Sequence, residues 1–585
     1  MAVTLRPPLW VVAVSLLSVV AGAAGCTDGT QGPSGGTHSP PQYRAAPRHQ
    51  HVLYVDGAGN DGADGSQKSP LRTITAAISH AHPGDSIVVQ SGVYHESLKI
   101  EAHPGLTVSA APGAKVWLDG SRPIDSWVKK RHRWVTNWAV HFDDSKTYTW
   151  GAPDNTKQGW QFVNPARPMA AHPDQVWIDG VRQVQVATRG EVRPGAFFVD
   201  EDKQRLYLGS DPTDHEVRAS SLTKAVSIRS RGVTLRGINV RRFAPSVPHM
   251  GAVTIAGPDV SLQDLTISEN ATTGLHTMAR RTRLLGVRLV DNGMIGMTAT
   301  RADDLVLDQV MVEGNNVEGF NTSPVAGGAK IGRTRSVVIR DSEFVDNHGT
   351  GVWLDESSYD VGIVNSQMIG NGKHGISVEV SGRIDLVGNL LVDNRGNGIK
   401  INDTSDAQIW NNTVVGNQRA INIVQDGRDL DPSGTYRDPR LPLPWQIRNI
   451  AVRNNVMSGS SGDTLLGVED FTGRFSAVEL DVTALGNLYH RPDPHGDPRW
   501  IVVWSRGAGD PYAFKGLAPF RKTAMQELPG ALLSGGSVVQ SDLSTRPAVH
   551  KIAAAIAQPL PSALAERVGQ PTDERQLGAW ITRPQ

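Results

Sequence analysis

The stretch from Gly351 to Val380, GVWLDESSYDVGIVNSQMIGNGKHGISVEV, holds one short pattern twice: Gly-Val-Trp-Leu-Asp and Gly-Ile-Ser-Val-Glu. Similar phrases begin at Gly274, Gly296, Gly328 and Gly398, and AINIV at Ala420 continues the series. The usual spacing is roughly 22 to 24 residues, the range of stacked solenoid units. Apolar and polar residues alternate within each unit, which is the period of a strand with one buried face. A coil of about three short strands cannot bury its apolar face alone, whereas stacked coils form continuous parallel sheets around a filled interior. Ahead of the glycines come phrases such as ISEN, LVDN, FVDN, MIGN and VVGN. Asparagine tolerates left-handed turn geometry, and its amide can bond to the next coil. Asn270, Asn292, Asn347, Asn371, Asn394 and Asn417 therefore read as a structural ladder.

The repeat resembles the right-handed parallel β-helix superfamily, which includes pectate lyases and other polysaccharide-processing enzymes. The resemblance covers most of residues 222 to 490 and implies an all-β solenoid. The earlier stretch LYVDGAGNDGADGSQKSPLRTITAAISHAHPGDSIVVQSGVYHESLKI looks like the DUF1565-type opening coil of many secreted β-helix proteins. Within it, SPLRTITAAISHA predicts a short amphipathic capping helix, started at Ser69-Pro70 and stopped at Pro83-Gly84. A cap is required because the first coil otherwise exposes apolar interior and unpaired strand edges.

The expected organisation is a signal peptide over 1–26, a flexible linker over 27–50, and the cap with the first coils over 51–121. A Trp-rich, β-rich insertion follows over 122–220, with QVWIDGVRQVQVA and GAFFVDEDKQRLYLGS as hairpins and its tryptophans in a core. The repeats with a candidate groove occupy 221–530, and a strap over 531–585 closes the far end. Lys plus Arg and Asp plus Glu number 58 each, which argues against binding driven by nucleic-acid phosphates. The single cysteine, Cys26, excludes an internal disulfide. It follows an apolar run from Leu9 to Ala24, shorter than the roughly 20 residues a membrane span needs. The run ends in AAGC, which resembles a bacterial lipobox with Ala23 where leucine is usual. Lipidation of Cys26 would hold a monomer outside the cytoplasm through a lipid anchor, by a tether rich in Gly, Ser, Pro and Thr.

Counting from each repeat glycine, the second and fourth residues point outward. The second-position row reads His276, Thr298, Lys330, Trp353, Ser377, Lys400, Asn422; the fourth includes Asp355, Glu379 and Asn402. Strands about 4.8 Å apart would set Asp355 beside Glu379, with Lys330 and Lys400 on either side. Glu356 and His374 lie close by, and Trp353 offers a sugar platform. Two neighbouring carboxylates repel unless a cation or a shared proton intervenes, and such pairs are often functional. Three chemistries suit them. A retaining glycosidase uses two carboxyl groups about 5 to 5.5 Å apart. A lyase or epimerase acting on uronic acids uses a basic lysine, Lys330 or Lys400, while calcium held by Asp355 and Glu379, or an arginine, neutralises the sugar carboxylate. A charge ladder is purely structural.

Two interruptions flank these coils: an excess NNVEGFNTSPVAGG before Gly328, and the excursion VQDGRDLDPSGTYRDPRLPLPWQ after Ile423. Solenoids place added loops where they bind, so the pair reads as two groove walls. Asp426, Arg428 and Arg437 become candidate substrate contacts, together with His374, Asn402 and Asn422. The leading expectation is a carbohydrate-active enzyme of the lyase type on a uronic-acid polysaccharide. A glycoside hydrolase using Asp355 and Glu379, and a non-catalytic glycan-binding surface protein, are the alternatives.

Overall fold

The computed structural model describes residues 51–154, 160–430 and 443–581. The expectations for the signal peptide, the tether, Cys26 and Arg437 lie outside the described residues. Three sheets of 13 strands run the length of the solenoid, and each coil contributes one strand to each, forming a parallel β-helix. Register is kept along the stack: Lys330 pairs with Trp353, Trp353 with Ser377, Ser377 with Lys400, and Lys400 with Asn422. The alternate residues Val352, Leu354, Ile376, Val378, Ile399 and Ile401 are fully buried in one continuous core. Among the described residues, no helix is long and apolar enough to cross a membrane.

The asparagine ladder is continuous. Asn371 donates its amide to Oδ1 of Asn394 at 2.8 Å and to the Phe344 carbonyl at 2.9 Å. Its own Oδ1 accepts from Asn347 through both amide and backbone N–H, at 3.0 and 3.2 Å. The ladder runs from Asn270 to Asn417 and includes Asn315. The asparagines themselves are not left-handed. The positive-φ residue is the one just before: Glu269, Asp291, Gly314, Asp346, Gly370, Asp393 and Gly416. The turn geometry and the ladder bond are thus divided between two adjacent residues, which explains the recurrent Asp-Asn and Gly-Asn phrases. A second ladder links Asn389, Asn412, Asn455 and Asn487, and ends on the carboxylate of buried Glu527.

The capping helix spans Ile74–His80, later than the Ser69-Pro70 signal predicted. Ser69 bridges back to Ser66 and Leu71 pairs with Val55, so that segment is still strand-like, and Thr73 caps the helix by accepting from the Ala76 N–H. The insertion leaves the solenoid unbroken: Leu98–Ile100 before it pairs with Val226–Ile228 after it. It forms a four-stranded and a five-stranded sheet containing both expected hairpins, Val176–Ile178 with Val181–Arg182 and Ala196–Asp200 with Arg205–Leu208. Trp138 and Trp177 are core residues as expected, but Trp160 is 61% exposed.

The far end differs from expectation. Helix Leu517–Ala524 closes it, with Phe514, Leu517 and Phe520 joining the main core. The terminal strap runs along the flank instead. Its helix Pro547–Ile556 packs on Val456 and Leu488, and Ser562–Val568 packs on Val364, Val387 and Trp410. Its apolar face finds side-chain cover on the flank because the end is already occupied.

Asn371→Ala removes four ladder bonds from a dry site and leaves the partners unpaired. It should lower stability by about 3 kcal/mol in urea unfolding. An unchanged midpoint would count against the ladder as a stabilising element.

Candidate functional site

The outward face of one sheet, over strands Thr350–Asp355, Ile376–Glu379 and Ile399–Asn402, floors a cavity of about 290 Å³. The first wall is the loop before strand Gly327–Gly332, braced by the insertion. Asn321 takes the Phe162 carbonyl at 2.9 Å through its N–H and the Gln161 carbonyl at 2.7 Å through its amide. Phe162, Ala170, Phe320 and Ala326 share a small apolar cluster behind that contact. The second wall begins at Asp426, directly after strand Ile421–Gln425.

Of the residues expected from sequence, Glu379, Lys400, Trp353, His374, Asn402, Asp426 and Arg428 line this one cavity. Glu379 accepts from Lys400 Nζ at 2.9 Å and Ser377 Oγ at 3.1 Å on Oε1, and from Arg428 Nη1 at 3.0 Å on Oε2. Burial alone would raise its pKa, but Lys400 and Arg428 hold the carboxyl down at about 2. His374 accepts the Asn397 backbone N–H on Nδ1 at 3.0 Å, so its proton sits on Nε2. Burial, with Lys400 and Lys373 nearby, keeps it neutral down to about pH 3. It is a hydrogen-bond donor and not a titrating base.

Three expectations need correction. Asp355 and Glu379 do not act as a pair. Asp355 is held by Lys330 at 2.9 Å and by the Glu356 N–H at 2.8 Å, and neither it nor Lys330 lines the cavity. Lys330 is satisfied three ways: by Asp355, by the Pro324 carbonyl at 2.7 Å, and by the Trp353 ring, whose centroid lies 3.8 Å away. Trp353 is 8% exposed and spends a ring face on that lysine, whereas Trp160, which also lines the cavity, is largely exposed. Asn422 lies outside the cavity, accepting from Arg419 at 2.8 Å in a network with Asp463 and Glu469. The two lysines form diagonal ion pairs with the neighbouring strand, Lys330 to Asp355 and Lys400 to Glu379, whereas sequence spacing gives only the lateral neighbour.

Calcium does not fit between Asp355 and Glu379, because ammonium, guanidinium and N–H groups already engage both carboxylates. Among the described residues, no group of three or more His, Cys, Asp or Glu is arranged to hold a metal ion.

Sequence reasoning missed Lys373, Ser377, Thr350 and Ser323 as lining residues. Lys373 matters most. Its ammonium meets Ser323 Oγ at 3.3 Å and, among the described residues, pairs with no carboxylate. Burial, then Lys400, lower its pKa. Its place in the turn before Gly375, next to His374, was the available signal.

A family model described as "Right handed beta helix region" matches residues 251–419. A second, "Protein of unknown function (DUF1565)", matches residues 57–108. No curated protein matches the chain. Among solved structures, the chain is similar to "The complex structure of XylC with xylose", at 15% identity and a TM-score of 0.60, over 84% of this chain and 88% of that one. It is also similar to the Azotobacter vinelandii mannuronan C-5 epimerase AlgE6 A-module, at 12% identity and a TM-score of 0.42, over 80% and 95%. Pectate lyase Pel9A matches at 11% identity and a TM-score of 0.32, over 77% and 80%.

Because its folded pKa is depressed, Glu379 contributes stability that is present above the ordinary value of 4.5 and is lost as pH falls towards about 2. Glu379→Gln should therefore be less stable than wild type at neutral pH, and the gap should close across that window in urea titrations. A gap independent of pH would show that the charge is not what stabilises.

Proposed function

We propose that this right-handed parallel β-helix protein is a polysaccharide lyase whose cavity takes a uronate unit of an acidic glycan. The observation that carries the reading is Lys373, a partly buried lysine that among the described residues has no carboxylate partner, in a cavity whose Glu379 is already matched to Lys400 and Arg428. Abstraction of the proton next to a sugar carboxylate needs two things: a base that is neutral near working pH, and positive charge to hold the carboxylate as negative charge develops on it. Lys373 is our candidate for the first role by its place in the cavity and its contact with Ser323, and burial and Lys400 disfavour its charged form. Lys400, Arg428 and the Nε2–H of His374 fit the second. Lys400 and Arg428 give the cavity cationic groups that can meet an anionic sugar. Exposed Trp160 at the rim supplies a flat apolar surface for a sugar ring.

The hydrolase alternative is less well supported. The sequence-expected pair does not meet a glycosidase's need for one protonated carboxyl, because Glu379 stays ionised down to about pH 2. Asp355 lies outside the cavity and is bound to Lys330. The substrate class puts the site of action outside the cytoplasm, in keeping with a lipid-anchored monomer exported by the segment that ends at Cys26.

Incubation with a panel of polyuronates, read by absorbance of unsaturated ends, tests the reading. Lys373→Met should abolish turnover by about a thousandfold or more while the melting profile stays intact. New reducing ends without unsaturation would replace the lyase by a hydrolase. Wild-type rates in Lys373→Met would remove the proposed base, and glycan binding without product would leave a binding protein.

A further inference from the structure

We infer that Asp403 and Asp426 share one proton, and that Asp426 hands it to the oxygen that leaves the sugar, making the pair the acid that complements Lys373. The catalytic half of this inference rests on the lyase reading; the shared proton does not.

The two carboxylates belong to successive coils. Asp403 follows strand Ile399–Asn402, and Asp426 follows strand Ile421–Gln425, one coil on. Asp403 is completely buried, whereas Asp426 lines the cavity. The Asp426 backbone N–H donates to Asp403 Oδ1 at 2.7 Å, drawing the second residue over the first. Arg428 Nε contacts both carboxylates, Asp403 Oδ2 at 2.7 Å and Asp426 Oδ1 at 3.1 Å, while its Nη1 goes to Glu379. Asn402 donates to Asp426 Oδ2 at 3.3 Å.

Among the described residues, three carboxylates contact the Arg428 guanidinium. Glu379, Asp403 and Asp426 surround one guanidinium, and Lys400 adds a single ammonium through Glu379. The next described charges outward are Asp429 and Arg474, paired with each other at 2.7 Å with Asp470 beside them, and Lys373, which lies near Glu379. Two carboxylates gripped by the same guanidinium nitrogen, one of them completely buried, cannot both ionise cheaply, and a proton held between them removes the excess charge. Burial, followed by contact with Asp426, pushes Asp403 up to about 8, while Asp426 is lowered; the pair titrates as a unit that keeps a proton at neutral pH. Glu379 cannot provide this proton, and His374 lacks a second one.

In the elimination, the C–H bond beside the sugar carboxylate breaks. Its proton goes to Lys373 and its electron pair forms the new C=C bond. The neighbouring C–O bond breaks, and the leaving oxygen takes the proton from Asp426. Lys373 then releases its proton to solvent and the carboxyl pair takes one back, so the cycle consumes no co-reactant. Asp426 touches the substrate; Asp403 is a positioning residue that stores the proton behind it.

Two measurements on the purified protein test this. The first is the infrared difference between wild type and Asp403→Asn, which isolates this carboxyl from the other buried acids raised to about 7, Asp174 and Glu527. The difference should show one protonated carboxyl band at about pH 6 that fades through about pH 8. The second compares elimination with solvent-deuterium exchange at the carbon beside the carboxylate, on a polyuronate that the wild type turns over. Asp426→Asn should lose elimination by about a hundredfold or more and keep the exchange. Asp403→Asn should keep exchange and flatten the alkaline limb of the elimination profile. If Asp403→Asn fails to fold, Asp426→Asn serves for both readouts. Absence of the band, or wild-type elimination by Asp426→Asn, overturns the proposal. A band in a wild type that neither exchanges nor eliminates on any polyuronate removes the lyase reading and the catalytic role of Asp426, and leaves the shared proton standing.

Discussion

The hydrogen bond from each ladder asparagine to the next holds the coils in register, and the candidate site inherits that register. Asn347, Asn371, Asn394 and Asn417 span the coils that carry the cavity, with amide-to-amide distances of 2.8 to 3.0 Å. Each amide also satisfies a backbone carbonyl of the preceding coil, so a slip of one residue would leave several buried polar groups unpaired in a dry interior. Because strand side chains alternate, the same slip would turn Glu379 and Lys400 into the core. The ladder therefore defends the geometry of a surface it never touches.

On that surface, chemistry follows from which charges are already matched. Lys330 and Asp355 neutralise each other beneath the Pro324 loop, Glu379 is shared between Lys400 and Arg428, and Arg419 is taken by Asp463 and Glu469. What is left facing the cavity is Lys373 and Asp426, with buried Asp403 behind it. A base whose charge is disfavoured and an acid whose charge is disfavoured are what proton transfer away from a weakly acidic C–H bond requires. The insertion contributes Trp160 and braces the opposite wall through Asn321, so a segment outside the repeat helps to shape the site.

The fold was legible because its signals are local and repeated. The repeat spacing, the alternation and the Asn phrases each recur over seven or so coils, so a reading wrong at one coil is corrected by the next. Asn315 escaped notice because its phrase, EGNN, departs from the common form, and the second ladder because its asparagines do not stand ahead of the repeat glycines. The capping helix was misplaced by a turn because Ser69-Pro70 imitates a helix start while the chain is still bridging to its neighbours. The site was legible as an address: seven expected residues share the cavity. Their partners were not, since a long side chain reaches residues on either adjacent strand, and rotamer and loop cover decide which it meets.

The sequence by itself determined the solenoid, its capped start, the outward rows of charge and the two loops that wall them, because period and spacing are properties of the chain alone. The folded chain decides that Asp355 and Lys330 pair outside the cavity, that Lys373 meets no acid among the described residues, and that Asp403 and Asp426 are joined across coils by an N–H and by Arg428. The physical reason is that charge pairing in a desolvated cavity depends on distances of a few ångströms between residues 20 to 50 positions apart. Those distances are fixed by how loops fold over the sheet.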